Sequence, residues 1–105
     1  MSQYQCISVA QLTALQQQPE PVQIVDIRQP DVFALGHLEG AINLHAGNVD
    51  RFLLEGDYEH PVVVVCYHGI SSQNAAAYLA EQGFEQVYSL DGGYDGWAQQ
   101  ALASS

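Results

Sequence analysis

Lysine is absent from the chain, and the only strong cations are Arg28 and Arg51, set against 12 aspartates and glutamates for a formal net charge of −10. A surface so short of cations repels phosphate backbones and anionic headgroups, which argues against nucleic-acid binding and against attachment to charged membranes. Long apolar runs are also missing, so nothing is expected to span a bilayer. The opening MSQYQCISVAQL carries neither a basic nor an apolar signal region, and without a secretory signal the expected compartment is the cytoplasm. Cysteine is scarce: Cys6 and Cys66 stand far apart and form no C-x-x-C pair. In a reducing compartment both are expected as free thiols. His37, His45 and His60 are scattered without ligand spacing, and a pair of Cys66 with His68 would need further ligands. No metal and no cofactor is therefore expected.

What is present reads as one globular domain over residues 1–105, with 48% apolar residues, enough for a core that needs no staples. Punctuation falls at short intervals. Strand-like pieces lie at 5–9, 22–27, 41–44, 61–66 and 87–90. Between them come helix-like pieces. Ser8 is placed to cap a helix over 10–18 with Leu12 and Leu15 on one face, closed by Pro19 and Pro21. Pro30-Asp31 opens a short helix stopped by Gly36, and Asn48 is placed to cap another that ends at Gly56. Ser71 or Ser72 starts a helix that turns Ala76, Leu79 and Ala80 inward and stops at Gly83. Asp91-Gly92-Gly93 leads into a last helix carrying Trp97. This alternation predicts an α/β domain with a mainly parallel sheet covered on both faces. The run Val62-Val63-Val64-Val65 suits its central strand, and ligands of such sheets bind beyond the carboxyl ends of the strands.

Cys66 sits at that end, followed by Tyr67-His68-Gly69-Ile70-Ser71-Ser72. A loop from a strand end to a helix start aims unpartnered N–H groups at one point, and the helix dipole adds positive potential there. Such surroundings lower a thiol pKa and make the thiolate nucleophilic. Gly69 permits a tight curl, and Ser71 and Ser72 offer hydroxyls to an anion or to the helix end. Cys6 has no such loop and is expected as an inert core thiol. His68 is either an exposed loop residue or a functional partner; adjacency alone does not bring its ring to the sulfur.

The loop CYHGISS resembles the active-site loop of single-domain rhodaneses. VDIRQPDVFALGHLEGAINL upstream and YSLDGGYDGW downstream are similar to two further signatures of that family, and QCISVAQL is similar to the openings of its members. The resemblance implies a three-layer α/β/α domain with a five-stranded, mainly parallel sheet. It also implies a thiosulfate sulfurtransferase, which moves sulfane sulfur to cyanide or a dithiol through a cysteine persulfide and releases sulfite. Cys66 matches the nucleophile. Tyr67, His68, Gly69, Ile70, Ser71 and Ser72 match the loop that cradles the persulfide, mostly through backbone N–H groups. A thioredoxin-like dithiol protein is an implied acceptor. Arg28, in VDIR with Asp26, is a candidate for guiding an anionic substrate; the alternative is a structural ion pair. His37, Gly92, Gly93 and Trp97 read as packing and turn residues. Because thiosulfate is a dianion and the chain is strongly acidic, binding is expected to be weak and local.

Two rival readings remain. Phosphatases and arsenate reductases of the same fold clamp their oxyanion with an arginine six positions after the cysteine; here that position is Ser72. A non-catalytic module would carry sulfur, or bind a partner, without turning over thiosulfate.

Overall fold

Why four successive valines form a strand rather than a helix is answered by what surrounds them. The computed structural model describes residues 3–103. Its strands are β1 (Gln5–Ile7), β2 (Gln23–Asp26), β3 (Ile42–Asn43), β4 (Val62–Val65) and β5 (Val87–Leu90). They join in one sheet of order β1-β5-β4-β2-β3, every pair parallel. β4 is central, and all its valines are fully buried. Side chains alternate faces along a strand. Val62 and Val64 thus join Val25, Ala76, Leu79 and Phe84 on one face, while Val63 and Val65 join Leu12, Ile24, Leu38 and Leu90 on the other. A β-branched residue buried on either side of a central strand contributes roughly 1.5–3 kcal/mol by burial alone.

The helices are α1 (Val9–Gln16), α2 (Pro30–Leu35), α3 (Val49–Glu55), α4 (Ser71–Glu81) and α5 (Gly93–Ala103). α3 and α4 cover the first face through Phe52, Leu53, Ala76 and Leu79; α1 and α5 cover the second through Leu12, Tyr94 and Trp97. The three-layer architecture and five-stranded parallel sheet are those expected. Among the described residues no helix is long and apolar enough to cross a membrane.

Several local expectations need correction. α1 ends at Gln16, before the prolines, because Gln17 and Gln18 already turn their N–H groups to Ala14 and Leu15 in tightened i→i−3 bonds. Its start is as expected: Ser8 and Gln11 form a reciprocal capping box. Asn48 does not cap α3. Its side chain accepts the His45 N–H and donates to the Asn43 carbonyl, pinning the turn between β3 and α3. α4 starts at Ser71, as expected, but neither Ser71 nor Ser72 caps it: the N-cap position is Ile70, with no side-chain bond. Cys6 is not a core thiol. Among the described residues β1 pairs with β5 alone, at the edge of the sheet, and its cysteine is exposed.

Candidate active site

The acceptor missing from the start of α4 is a sulfur atom. Cys66 follows β4 directly and is buried. Its Sγ accepts the backbone N–H of Ser72 at 3.3 Å and that of Gly69 at 3.1 Å, and the His68 N–H also points to it. The thiol therefore occupies the place of a helix-capping oxygen, where orphan N–H groups and the helix dipole favour negative charge. Ser72 Oγ lies 3.2 Å from the sulfur: the thiol donates to this hydroxyl, and in the thiolate the direction reverses. Burial pushes the Cys66 thiol up, but the Ser72 hydroxyl and the N–H groups of Ser72, Gly69 and His68 outweigh it and leave the thiol below its ordinary range.

The curl of the loop is imposed by the neighbouring helix. The N–H groups of Tyr94 and Asp95, at the start of α5, take the carbonyls of Cys66 (2.8 Å) and Tyr67 (3.2 Å). Those carbonyls are thereby drawn toward α5 while the loop N–H groups gather at the sulfur. Two glycines make this interlock possible. Gly93 has φ +58°, and a Cβ there would lie 2.5 Å from the Cys66 carbonyl oxygen. Gly69 has φ +88°, and a Cβ there would lie 2.8 Å from the Gly92 nitrogen. Side chains rarely adopt these angles, and at either position the backbone would have to move. The Gly69 carbonyl is held in turn by Gln73 Nε2 at 2.9 Å, and the Gln73 amide oxygen accepts the Tyr4 hydroxyl.

The other predicted site residues divide into two groups. Tyr67, Ile70 and Ser71 belong to the loop but turn their side chains to solvent around the sulfur. His68 contributes its backbone; its exposed ring pairs with Asp95 at 3.2 Å. Arg28 is buried, with Nε and Nη2 on the Asp26 carboxylate at 2.7–3.0 Å and Nη2 on the Gly36 carbonyl at 2.7 Å. Its guanidinium packs 4.0 Å from the centre of the Tyr94 ring. Burial opposes the guanidinium charge, and the Asp26 carboxylate more than restores it. Arg28 thus braces the start of α5 and the wall of a cleft of about 320 Å³ beside Tyr67. His37 stacks on Phe33 and bonds the Phe33 carbonyl, although it is exposed. A larger groove of about 410 Å³ runs along β2, β3 and α3. It exists because two-residue β3 leaves the sheet edge thinly covered, and no cysteine lines it. The donor-rich sulfur of Cys66, rather than this groove, marks the candidate site. Among the described residues there is no cluster of three or more His, Cys, Asp or Glu able to hold a metal.

Three contributors escape a linear reading: Tyr94, Gln73 and Ser89. Ser89 Oγ lies 2.7 Å from Ser72 Oγ, and both residues are fully buried. The signal for Ser89 was a hydroxyl at the inward parity of VYSL, the same face as Val87.

Comparison with known proteins gives a consistent picture. The family model for the rhodanese-like domain matches residues 8–100. The chain is 54% identical to a protein named thiosulfate sulfurtransferase GlpE from Shewanella oneidensis, over 92% of this chain and 95% of that one. It is 48% identical to a protein of the same name from Pseudoalteromonas translucida, over 87% and 86% of the two chains. In fold it is similar to the crystal structure of a rhodanese-like domain protein from Staphylococcus aureus, with TM-score 0.76, 23% identity, and 90% and 91% of the chains covered.

Proposed function

Because the chain belongs to the rhodanese-like domain family, we propose that it works as a thiosulfate sulfurtransferase through a persulfide on Cys66, within one domain. Sulfurtransferase activity on thiosulfate follows from its likeness to the curated relatives. The observation that carries the assignment of the nucleophile is the convergence of the Gly69 and Ser72 N–H groups and the Ser72 hydroxyl on a buried Cys66 sulfur.

The steps follow from that geometry. The Cys66 thiolate attacks the outer sulfur of thiosulfate. The S–S bond of thiosulfate breaks, sulfite leaves with the electron pair, and Cys66 becomes a persulfide. Charge now resides on the outer sulfur, which the mouth of the loop surrounds with Tyr67, His68, Gly69, Ile70 and Ser71, and N–H dipoles stabilise it without a countercharge. An acceptor then attacks that sulfur and the Cys66 thiolate leaves. Cyanide becomes thiocyanate; a dithiol becomes a persulfide, then a disulfide with release of hydrosulfide. Two half-reactions through a modified enzyme give ping-pong kinetics.

Neither arginine stands at the sulfur as a free cation for the donor: Arg28 is held by Asp26, and Arg51, exposed on α3, lines the groove that has no cysteine. Thiosulfate is therefore held by dipoles, weakly, in an acidic protein. The tetrahedral oxyanion clamp of a phosphatase is absent, since Ser72, at the position an arginine would need, is buried against the sulfur. We place the activity in the cytoplasm, with a small-molecule donor and either a small thiophile or a thioredoxin-like dithiol protein as acceptor; the exposed Tyr67 and Ile70 beside the sulfur suit approach by an apolar protein surface. Steady-state thiocyanate formation with thiosulfate and cyanide both varied tests the proposal. Parallel double-reciprocal lines are expected. Sulfur loading without turnover would instead make the protein a sulfur carrier.

A further inference from the structure

We infer that Ser89, on β5, is a positioning residue for the Cys66 thiolate: its buried hydroxyl donates to Ser72 Oγ and so turns the Ser72 proton onto the sulfur. The inference rests on reading Cys66 as the nucleophile. Three atoms stand in a row, Cys66 Sγ, Ser72 Oγ and Ser89 Oγ, at separations of 3.2 and 2.7 Å. All three residues are buried, with Ser72 and Ser89 fully so, and water therefore does not share the row.

The direction follows from counting protons. Each hydroxyl owns one. If the sulfur is a thiolate, it takes the Ser72 proton, and Ser72 oxygen takes the Ser89 proton; every proton in the row then points toward the charge. If the sulfur is a thiol, three protons share two links, and one of them, that of Ser89 or that of Ser72 turned to the carbonyl four residues back, has to find its partner outside the row. A buried donor that finds none is costly. The row is thus self-contained only in the ionised state, where aligned hydroxyl dipoles reinforce one another in a dry interior.

A hydroxyl at this point in β5 calls for such a reason. Ser89 is flanked in register by Val64 of β4 and Cys6 of β1, and faces the core side that carries Val87. An apolar side chain would suit that position if packing were the only demand. Ser72, inside α4, has an alternative of its own, since a helical serine readily donates to the carbonyl four residues back. A donor arriving from Ser89 occupies part of the Ser72 oxygen and leaves its proton for the sulfur.

Other ionisable groups around the site come from every neighbouring element. They are Tyr67 and His68 on the loop, Tyr94 and Asp95 on α5, Asp91 before α5, Asp26 and Arg28 from β2 and beyond, and Cys6 on β1. Among the described residues, the side-chain bonds of Ser72 and Ser89 are to each other and to Cys66. The row stabilises the thiolate both as nucleophile toward the donor and as leaving group when the acceptor takes the sulfur. In the persulfide the charge has moved outward, beyond its reach.

The test measures the pH dependence of Cys66 alkylation by iodoacetamide, in Cys6→Ser protein so that one thiol reacts. It needs no thiosulfate, so a failed sulfur transfer and a failed relay are distinguishable. Ser89→Ala is expected to raise the midpoint by about half a pH unit, and Ser72→Ala by about one unit. In the Ser72→Ala background, Ser89→Ala is expected to add nothing. Ser89→Thr and Ser89→Val form a pair matched in shape: the threonine keeps a midpoint near the parent and the valine shifts it up, whatever either does to the melting temperature. A Ser89→Ala or Ser89→Val midpoint unmoved from the parent overturns the inference. So does a Ser89 shift that persists when Ser72 is alanine.

Discussion

Cys6 lies in the sheet and Cys66 just beyond one of its strands, and the more accessible of them has the thiol that is harder to ionise. Cys6 lies on edge strand β1, open to solvent. Its thiol is pushed up by partial burial, by the charge of Asp91 and by a hydrogen bond to the same carboxylate. Cys66 lies at the end of central strand β4, almost closed off from water, and is pulled down by N–H and O–H donors despite a larger desolvation cost. Access brings a reagent to a sulfur, but donors decide whether a thiolate is there to meet it. The edge strand supplies an acid next to its thiol. The central strand supplies the start of α4.

The sharpest way to break the comparison is to exchange the residues one at a time. Cys66→Ser should abolish thiosulfate-dependent thiocyanate formation, while Cys6→Ser should keep activity within about twofold, as expected for a surface change. Next in size is Gly93→Ala. A Cβ 2.5 Å from the Cys66 carbonyl, on a backbone at φ +58°, must displace the loop. We expect kcat/KM to fall about 100-fold and stability to fall by about 1–3 kcal/mol in urea titration. Alkylation of Cys6 should stay as it was, because its strand is not touched.

Ser72→Ala sharpens the contrast without removing the sulfur. The thiolate midpoint at Cys66 should rise toward that of an ordinary thiol, and activity should fall about tenfold below that midpoint while recovering at high pH. The folded chain holds this thiolate better than the unfolded chain does, so the contribution is present above the unfolded thiol pKa and is lost as pH falls through the lowered folded value. The stability gap between parent and Ser72→Ala should therefore narrow on acidification, as followed by thermal melts across pH. The smallest effect belongs to Asp91→Asn. Removing that charge should bring the Cys6 midpoint down by about half a unit, on the scale of one exposed charge interaction, and leave the Cys66 midpoint in place.

Much of this was legible in the chain itself. The valine run, the Pro30-Asp31 and Gly36 punctuation of α2, and the Ser8 cap are local signals, and the elements follow them closely. The loop was legible because strand end, cysteine, glycine and helix start are contiguous. What was not legible is tertiary. Asn48 and Ser72 carry good capping chemistry, yet a better use of each side chain exists once β3 and Cys66 are in place. Cys6 lies in a short β-prone segment with no loop chemistry beside it, which reads as a core thiol; nothing local says that β1 is an edge. Tyr94 and Ser89 reach the site from other elements, with Ser89 17 positions from its partner Ser72, and Gln73, though on α4, is tied to Tyr4 from before β1. The buried Arg28–Asp26 pair is local in sequence, but its brace on Tyr94 needs α5 to come back across the sheet.

The donor-rich, buried cysteine should take the sulfur and the exposed one should not. The most direct measurement is peptide-level mass spectrometry of reduced protein after brief incubation with thiosulfate. The mass of one added sulfur atom is expected on the peptide containing Cys66, removed by cyanide, with the Cys6 peptide unchanged. Sulfur on the Cys6 peptide, or an unmodified Cys66 in protein that still forms thiocyanate, would contradict it.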